Sequence, residues 1–143
     1  SQIMETYEKG ARVYHTTMPT DSLKILRNVM KETQSLGFVK LKSAQTELGK
    51  KIRELLISRG YPSVAAEGFQ APGVVVSYTT DPDIQSGKKF IELGLQTAAG
   101  VPLQCDEGPD FRTFRIGLFG LEKLQNIDRT VKFLEHALNQ MQA

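Results

Sequence analysis

The chain has 143 residues, of which 40% are hydrophobic and 24% charged, a composition typical of one globular domain with a hydrophobic core. Eighteen basic residues against sixteen acidic ones leave a net charge of only +2, which argues against a nucleic-acid binder or a membrane-surface binder. No apolar run approaches the roughly 20 residues that cross a bilayer. A single cysteine, Cys105, cannot form an internal disulfide, so we expect a reducing, cytoplasmic compartment.

The first 36 residues contain one predicted helix. Residues 1–18 are mixed and polar, and Pro19 interrupts any helix that precedes it. Thr20 or Asp21 can cap a new helix, because a short side-chain oxygen accepts hydrogen bonds from the free amides of the first turn. The helical spacing then continues as far as Gly37. Four residues share its predicted face: Leu23, Leu26, Met30 and Thr33.

A second helix and two strands follow, separated by turn residues. The helix ends at Gly60, a typical C-terminal position for glycine. The β-branched run at residues 74–80 predicts a strand, and the run FRTFRIGLFG at residues 111–120 predicts another. Between them we expect a short helix over about residues 84–93 and a brief edge strand near residues 95–98. The second helix carries one apolar face, made of Leu41, Ala44, Leu48, Ile52 and Leu55.

The final helix has the clearest periodicity, since apolar side chains recur every three or four residues from residue 124 to residue 141. They are Leu124, Ile127, Val131, Leu134, Leu138 and Met141. The order of elements predicts an α+β fold: a small, mostly antiparallel sheet of three to four strands with helices packed on one face, preceded by a long helical connection. So few strands lead us to expect that a partner surface is missing. Because Ser1 stands in place of an initiator methionine, we expect a processed chain or a piece of a longer one.

The usual catalytic side chains form no recognisable constellation. His15 and His136 lie far apart and lack acidic or cysteine neighbours at metal-ligand spacing, so we predict no metal site. His136 is expected to face solvent. Cys105 has no evident base nearby and is interpreted as a buried or passive thiol. The lysines fall on polar faces of amphipathic segments, where nothing would lower a lysine pKa for Schiff-base chemistry.

Arg115 is the charged residue for which the sequence most clearly predicts an anionic partner. Strand alternation places it on one side of its strand with Phe111, Thr113 and Gly117, while Arg112 lies on the other side and is interpreted as a surface residue. A guanidinium is costly to bury without an anion, and its planar fork matches a carboxylate. The residues alone leave two explanations open: a clamp for a carboxylate ligand, or a structural ion pair with a nearby acid.

A cluster of hydroxyls near the start of the chain raises a similar question. Tyr14, His15, Thr16 and Thr17 immediately precede a helix that begins near Pro19. Hydroxyls at a helix N-terminus suit an oxyanion such as phosphate. Taken alone, the pattern favours capping and turn chemistry for these residues over an oxyanion site.

Three segments in this order resemble the C-terminal part of class V aminotransferases, which are fold-type-I pyridoxal-phosphate enzymes. They are VYHTTMP at residues 13–19, FRIGLFG at residues 114–120 and QNIDRTVKFLEHAL at residues 125–138. In the alanine–glyoxylate and serine–glyoxylate (serine–pyruvate) branch, a YHHT-P segment leads into a helix and a RIGLLG strand lies near the end. The resemblance covers nearly the whole chain.

The resemblance implies roles for three residues. Arg115 matches the arginine that holds the substrate carboxylate, and Tyr14 and Thr17 match positions that hydrogen-bond the cofactor phosphate across a dimer interface. The Schiff-base lysine follows a serine–glutamine pair in the family, whereas here Ile3 follows Ser1 and Gln2. The resemblance therefore places that lysine upstream of this chain, which is expected to contain no catalytic residue, to be inactive alone and not to bind pyridoxal phosphate.

The resemblance also implies a domain assignment and a parent enzyme. Residues 1–36 are interpreted as a remnant of the large cofactor-binding domain with its connecting helix, and residues 37–143 as the C-terminal small domain. The parent would be a cytoplasmic homodimer that moves an amino group between alanine or serine and glyoxylate or pyruvate. The loop at residues 100–110 is longer than in that branch, which leaves the exact substrate open. The alternative is a free-standing α+β ligand-binding or protein-interaction module without catalytic activity.

Overall fold

The computed structural model describes residues 1–13 and 17–141. None of the helices in these residues is long and apolar enough to span a membrane. The chain divides into two compact units, Ser1–Leu36 and Gly37–Ala143, called here the first and second units. In chain order the elements are α1 (Gln2–Glu8), α2 (Thr20–Leu36), α3 (Phe38–Ser58), β1 (Val74–Tyr78), α4 (Pro82–Gln85), α5 (Lys88–Glu92), β2 (Ala98–Ala99), β3 (Thr113–Gly117), α6 (Leu121–Gln125) and α7 (Ile127–Met141).

The first unit consists of α1 and α2, and neither helix buries a residue. Helix α2 agrees with the predicted element, whereas α1 falls in a stretch for which the sequence suggested only mixed polar character. The apolar positions of α2 are largely exposed: Leu26 is 54% exposed and Met30 is 61% exposed. The amphipathic pattern therefore predicted the helix correctly, but the apolar face of α2 is not buried against another described part of the chain.

The second unit is built on a three-stranded antiparallel sheet in the order β1-β3-β2. The central strand, β3, is the one predicted from the run FRTFRIGLFG. At its middle, Arg115 lies opposite Val76 of β1 on one side and Ala98 of β2 on the other. A small antiparallel sheet with helices confirms the predicted α+β fold.

The core of the second unit is centred on Phe114, which is fully buried. Its ring meets Tyr61 edge-on at a centroid distance of 5.4 Å and lies 5.5 Å from the ring of Phe90. Such aromatic pairs contribute beyond the area that they bury. The other buried apolar residues come from the sheet and from α3, α4, α7 and the β3–α6 connection. They are Leu48, Ile52, Leu56, Val75, Ile84, Leu118, Leu134, Ala137 and Leu138.

Two predicted helices are each broken into two in the structure. The helix expected over residues 84–93 is split at Gly87, whose φ of 83° lies in the left-handed region. The final helix is split at Asn126, where φ is −136° and ψ is 56°. The Asn126 carbonyl then accepts hydrogen bonds from the backbone N–H and the hydroxyl of Thr130 at the start of α7, at 3.0 Å each. Side-chain periodicity continues across both breaks, which is why the sequence pattern did not reveal them.

A glycine lets α3 approach the chain segment that leads into β1. A Cβ atom at Gly49 would lie 2.6 Å from the carbonyl oxygen of Pro72, closer than real Cβ contacts come. Beside it, the Gln45 amide donates to the same Pro72 carbonyl at 3.0 Å. This close approach fixes the start of β1 against the helix.

Candidate functional site

Arg115 stands at the centre of the sheet, on the face opposite the core. Its neighbour in sequence, Phe114, is fully buried, and successive side chains of a strand point to opposite faces. The Arg115 side chain is half-buried and shares its face with the two residues directly across the sheet, Val76 and Ala98. Both neighbours are apolar, and Ala98 is small.

The guanidinium of Arg115 is held by a backbone carbonyl rather than by an acid. Its Nε donates a hydrogen bond to the Ala99 carbonyl of β2 at 2.9 Å. Within residues 1–13 and 17–141, no carboxylate forms an ion pair with Arg115. The structural ion pair that the sequence left open is therefore absent from the described residues.

This contact decides which donors of Arg115 are available to a ligand. A carboxylate can meet a guanidinium either through Nε and one terminal nitrogen or through both terminal nitrogens. Because Nε already donates to the Ala99 carbonyl, a carboxylate ligand cannot use the first arrangement. The two terminal nitrogens, Nη1 and Nη2, remain for an end-on, bidentate carboxylate.

Glu107, an acid of the loop that precedes β3, is turned toward its own loop. The Glu107 carboxylate accepts hydrogen bonds from the backbone N–H groups of Cys105 at 2.6 Å, Gln104 at 2.9 Å and Leu103. These donors, with Cys105 foremost, hold the pKa of Glu107 below its ordinary value. Gln104 and Asp106 have φ values of 60° and 59°, so the carboxylate closes a tight loop. Glu107 is thereby committed to the loop that joins β2 to β3.

The second candidate group falls partly beyond what the structure describes. Tyr14 and His15 lie outside the described residues. Thr17 is described and exposed, in the segment between α1 and α2. The phosphate-binding role of Tyr14 and Thr17 thus stays a prediction from the resemblance.

Among the described residues, the other side chains considered from the sequence form no reactive centre. His136 is exposed on α7, as expected. Cys105 is exposed rather than buried, with its Sγ 3.5 Å from the Leu103 carbonyl. Across residues 1–13 and 17–141, no group of three or more histidine, cysteine or acidic side chains could hold a metal ion.

All the lysines of the chain lie among the described residues. None is buried. The hydrogen bonds that Lys51 donates to Glu47 and Asp128 raise the pKa of Lys51, and the hydrogen bond that Lys89 donates to Asp81 raises the pKa of Lys89. A nucleophilic lysine requires the opposite shift, toward a lower pKa.

Asp81, directly before α4, is a structural residue that the sequence analysis did not single out. Its Oδ1 accepts from the backbone N–H groups of Asp83 at 2.8 Å and Ile84 at 3.3 Å, capping α4, while Oδ2 accepts from Lys89 at 2.5 Å. The Lys89 contact, followed by the two backbone contacts, lowers the pKa of Asp81. The signal was present in the sequence, because aspartate directly before Pro82 is a typical start of a helix.

Arg53 is a buried cation that the sequence did not single out. It is 9% exposed; its terminal nitrogens donate to the carbonyls of Gly49 at 3.3 Å and Ala71 at 3.1 Å. Burial lowers its pKa. Its role is to join α3 to the segment before β1, and no sequence signal marked it, since the carbonyls it binds depend on the tertiary fold.

Comparison with known proteins shows the fold. No protein-family model matches the sequence, and no curated protein matches it. Among solved structures, alanine–glyoxylate aminotransferase from Nostoc sp. matches with a TM-score of 0.67 at 18% identity, over 96% of this chain and 36% of that one. Serine palmitoyltransferase from Sphingomonas wittichii matches with a TM-score of 0.60 at 14% identity, over 94% of this chain and 33% of that one.

These similarities confirm the predicted resemblance at the level of fold. The first structure bears the name of the branch that the three motifs resemble. The second is named for a different transfer reaction, so the fold alone does not select the chemistry. The chain spans about a third of the length of either structure.

Proposed function

We propose that this chain is the C-terminal part of a pyridoxal-phosphate-dependent aminotransferase of the alanine–glyoxylate and serine–glyoxylate branch, and that Arg115 binds the substrate carboxylate. The observation that carries the proposal is the guanidinium itself: it is held at Nε by Ala99, lacks an acidic partner among the described residues and keeps both terminal nitrogens available. The motif around it and the shared fold agree with this role.

In this proposal the chain supplies binding and orientation. Arg115 fixes the carboxylate of an amino acid or a 2-oxo acid through two parallel charge-assisted hydrogen bonds, which orients the α-carbon for proton transfer. Tyr14 and Thr17 hydrogen-bond the cofactor phosphate of the other subunit in a cytoplasmic homodimer. The cofactor, when bound, withdraws electrons from the α-carbon.

The residues present fit a contribution to the cofactor site, but not the whole site. Thr17 is exposed and carries a hydroxyl, a group that suits a phosphate oxygen, whereas every lysine is exposed or half-buried, and Lys51 and Lys89 have raised pKa values. The lysine that attaches the cofactor is therefore assigned to the missing large domain, of which residues 1–36 are the remnant. This chain by itself should be inactive and should not bind the cofactor at a specific site.

The carboxylate role is tested by Arg115→Lys in the longer polypeptide that contains this chain. Lysine keeps the charge but loses the bidentate fork, so kcat/KM for alanine with glyoxylate should fall about 100-fold, corresponding to about 3 kcal/mol. Arg112→Lys, three residues earlier, is the matched control and should change kcat/KM less than about threefold. Discrimination between alanine and ethylamine, which lacks the carboxylate, should weaken only in the Arg115 variant.

Two outcomes would contradict the proposal. Equal effects of the Arg115 and Arg112 substitutions would remove the special role of Arg115. An encoding frame that begins at Ser1, with no upstream serine–glutamine–lysine segment, would favour the alternative of a free-standing ligand-binding or interaction module.

The inactivity of the isolated chain has its own test. The 143-residue chain is mixed with pyridoxal phosphate, reduced with borohydride and digested for mass spectrometry. We expect only scattered, substoichiometric labelling of exposed lysines, because no lysine is buried. Stoichiometric labelling of one lysine would show that the chain holds a cofactor site of its own.

A further inference from the structure

The guanidinium of Arg115 depends on a strand of only two residues. Strand β2 consists of Ala98 and Ala99, and both are exposed. Ala98 pairs with Arg115 and Ala99 with Phe114, while the Ala99 carbonyl accepts the Nε–H of Arg115 at 2.9 Å. So short an edge strand has little pairing of its own, and something else must hold it in register.

The residue that follows β2 supplies this restraint. A Cβ atom at Gly100 would lie 1.8 Å from the carbonyl oxygen of Thr113 and 2.6 Å from its Oγ1. The first of these atoms is backbone, so a change of rotamer cannot relieve the clash. The Gly100 N–H also donates to the Gln85 carbonyl at 3.2 Å.

Space, rather than backbone conformation, requires glycine at this position. The φ angle of Gly100 lies outside the left-handed region, unlike that of Gly87 or Gly94. The φ angle would admit an alanine, but the alanine Cβ could not be placed so close to Thr113. Any side chain at residue 100 must therefore push the end of β2 away from β3, and the Ala99 carbonyl with it.

We propose that Gly100 is a positioning residue for the carboxylate clamp: its contact with Thr113 places the Ala99 carbonyl so that Nε of Arg115 is occupied and a carboxylate binds end-on to Nη1 and Nη2. This inference rests on the proposed function of Arg115. Ala98 contributes by its size, since it lies directly across from Arg115 on the same face and its methyl group leaves the terminal nitrogens open.

The geometric half of the proposal can be tested on this chain without any enzymatic activity. The Nε–H signal of Arg115 is assigned by NMR from its loss in Arg115→Lys, and its hydrogen exchange is measured. In the unaltered chain it should be protected; in Gly100→Ala its exchange should be about tenfold faster. Gly108→Ala is the matched control in the same loop, because a Cβ there meets nothing within 4 Å. An unprotected Nε–H in the unaltered chain, or equal protection in Gly100→Ala, would overturn the proposal.

A second variant covers the case in which Gly100→Ala does not fold. Ala99→Gly adds no atom and loosens the backbone of β2, so Nε–H exchange should become a few times faster while the core stays intact. Unchanged exchange in this variant would show that β2 does not position the guanidinium.

The functional half is tested in the longer polypeptide. Gly100→Ala should raise the KM for the amino-acid substrate about tenfold with kcat nearly unchanged, because it weakens binding of the carboxylate in ground and transition states alike. In the Arg115→Lys background the same substitution should add less than about twofold. A further large loss in that background would mean a general structural role and would overturn the proposal. If Arg115→Lys leaves activity intact while Gly100→Ala still frees Nε–H, the proposed function fails and the positioning contact stands.

Discussion

Helices α2 and α7 have the same kind of sequence but differ in burial. Both are amphipathic, with 17 and 15 residues respectively. Helix α7 buries Leu134, Ala137 and Leu138, whereas α2 buries nothing. The pattern that forms a helix thus does not by itself provide the surface on which the helix packs. In this chain the second unit supplies that surface for α7, and the exposed face of α2 fits the proposal that a large domain is missing.

The largest expected effect is a difference in unfolding free energy between the same Leu→Ala substitution made in α7 and in α2. Leu138→Ala should lower the free energy of unfolding by about 2–5 kcal/mol, because Leu138 is fully buried and the change leaves a cavity. Leu26→Ala in α2, where the side chain is 54% exposed, should change it by less than about 1 kcal/mol. Urea unfolding of the 143-residue chain, followed by circular dichroism, measures both. Equal losses would show that α2 packs as firmly as α7.

A smaller effect on the free energy of unfolding is expected at Gly49 in α3, where alanine should destabilise the helix that it normally stabilises. Alanine normally favours a helix interior over glycine by about 1 kcal/mol. Here its Cβ would meet the Pro72 carbonyl at 2.6 Å, so Gly49→Ala should instead cost about 1–3 kcal/mol. Asn28→Ala, in exposed α2, is the control and should cost nothing. A stabilised Gly49 variant would refute the close approach.

The smallest expected effect concerns Asp81. Its pKa is lowered in the folded chain from an ordinary value of 3.8, so its stabilisation is present above pH 3.8 and is lost as the pH falls through the lower folded value. Asp81→Asn should therefore cost about 0.5–1 kcal/mol at neutral pH and nothing at the acidic end. Unfolding measured against pH, with Asp21→Asn of the first unit as control, checks this. A cost independent of pH would contradict it.

Much of the fold could be predicted from local pattern, as particular residues show. The apolar spacing of Leu48 and Ile52 predicted the buried face of α3, and strand alternation predicted that Arg115 and Phe114 lie on opposite sides of their strand. Pattern could not reveal the breaks at Gly87 and Asn126, because apolar spacing runs through both.

Within the candidate site, the sequence indicated the important residue but not its contacts. The sequence singled out Arg115, since a cation in an apolar strand needs a partner wherever the strand lies. It did not indicate that Ala99 would take up Nε, or that Gly100 would lie against Thr113. Those facts depend on residues more than ten positions apart coming into contact.

The amino-acid sequence by itself determined the helix faces, the two longer strands and the presence of an arginine in the second of them, because each of these follows from side chains a few residues apart. Only the tertiary structure decided which apolar face is covered, that Arg53 is buried, and which donors of Arg115 stay available. The physical reason is that burial and hydrogen-bond partners arise from close approach between segments that are distant in sequence. Periodicity along the chain does not predict that approach.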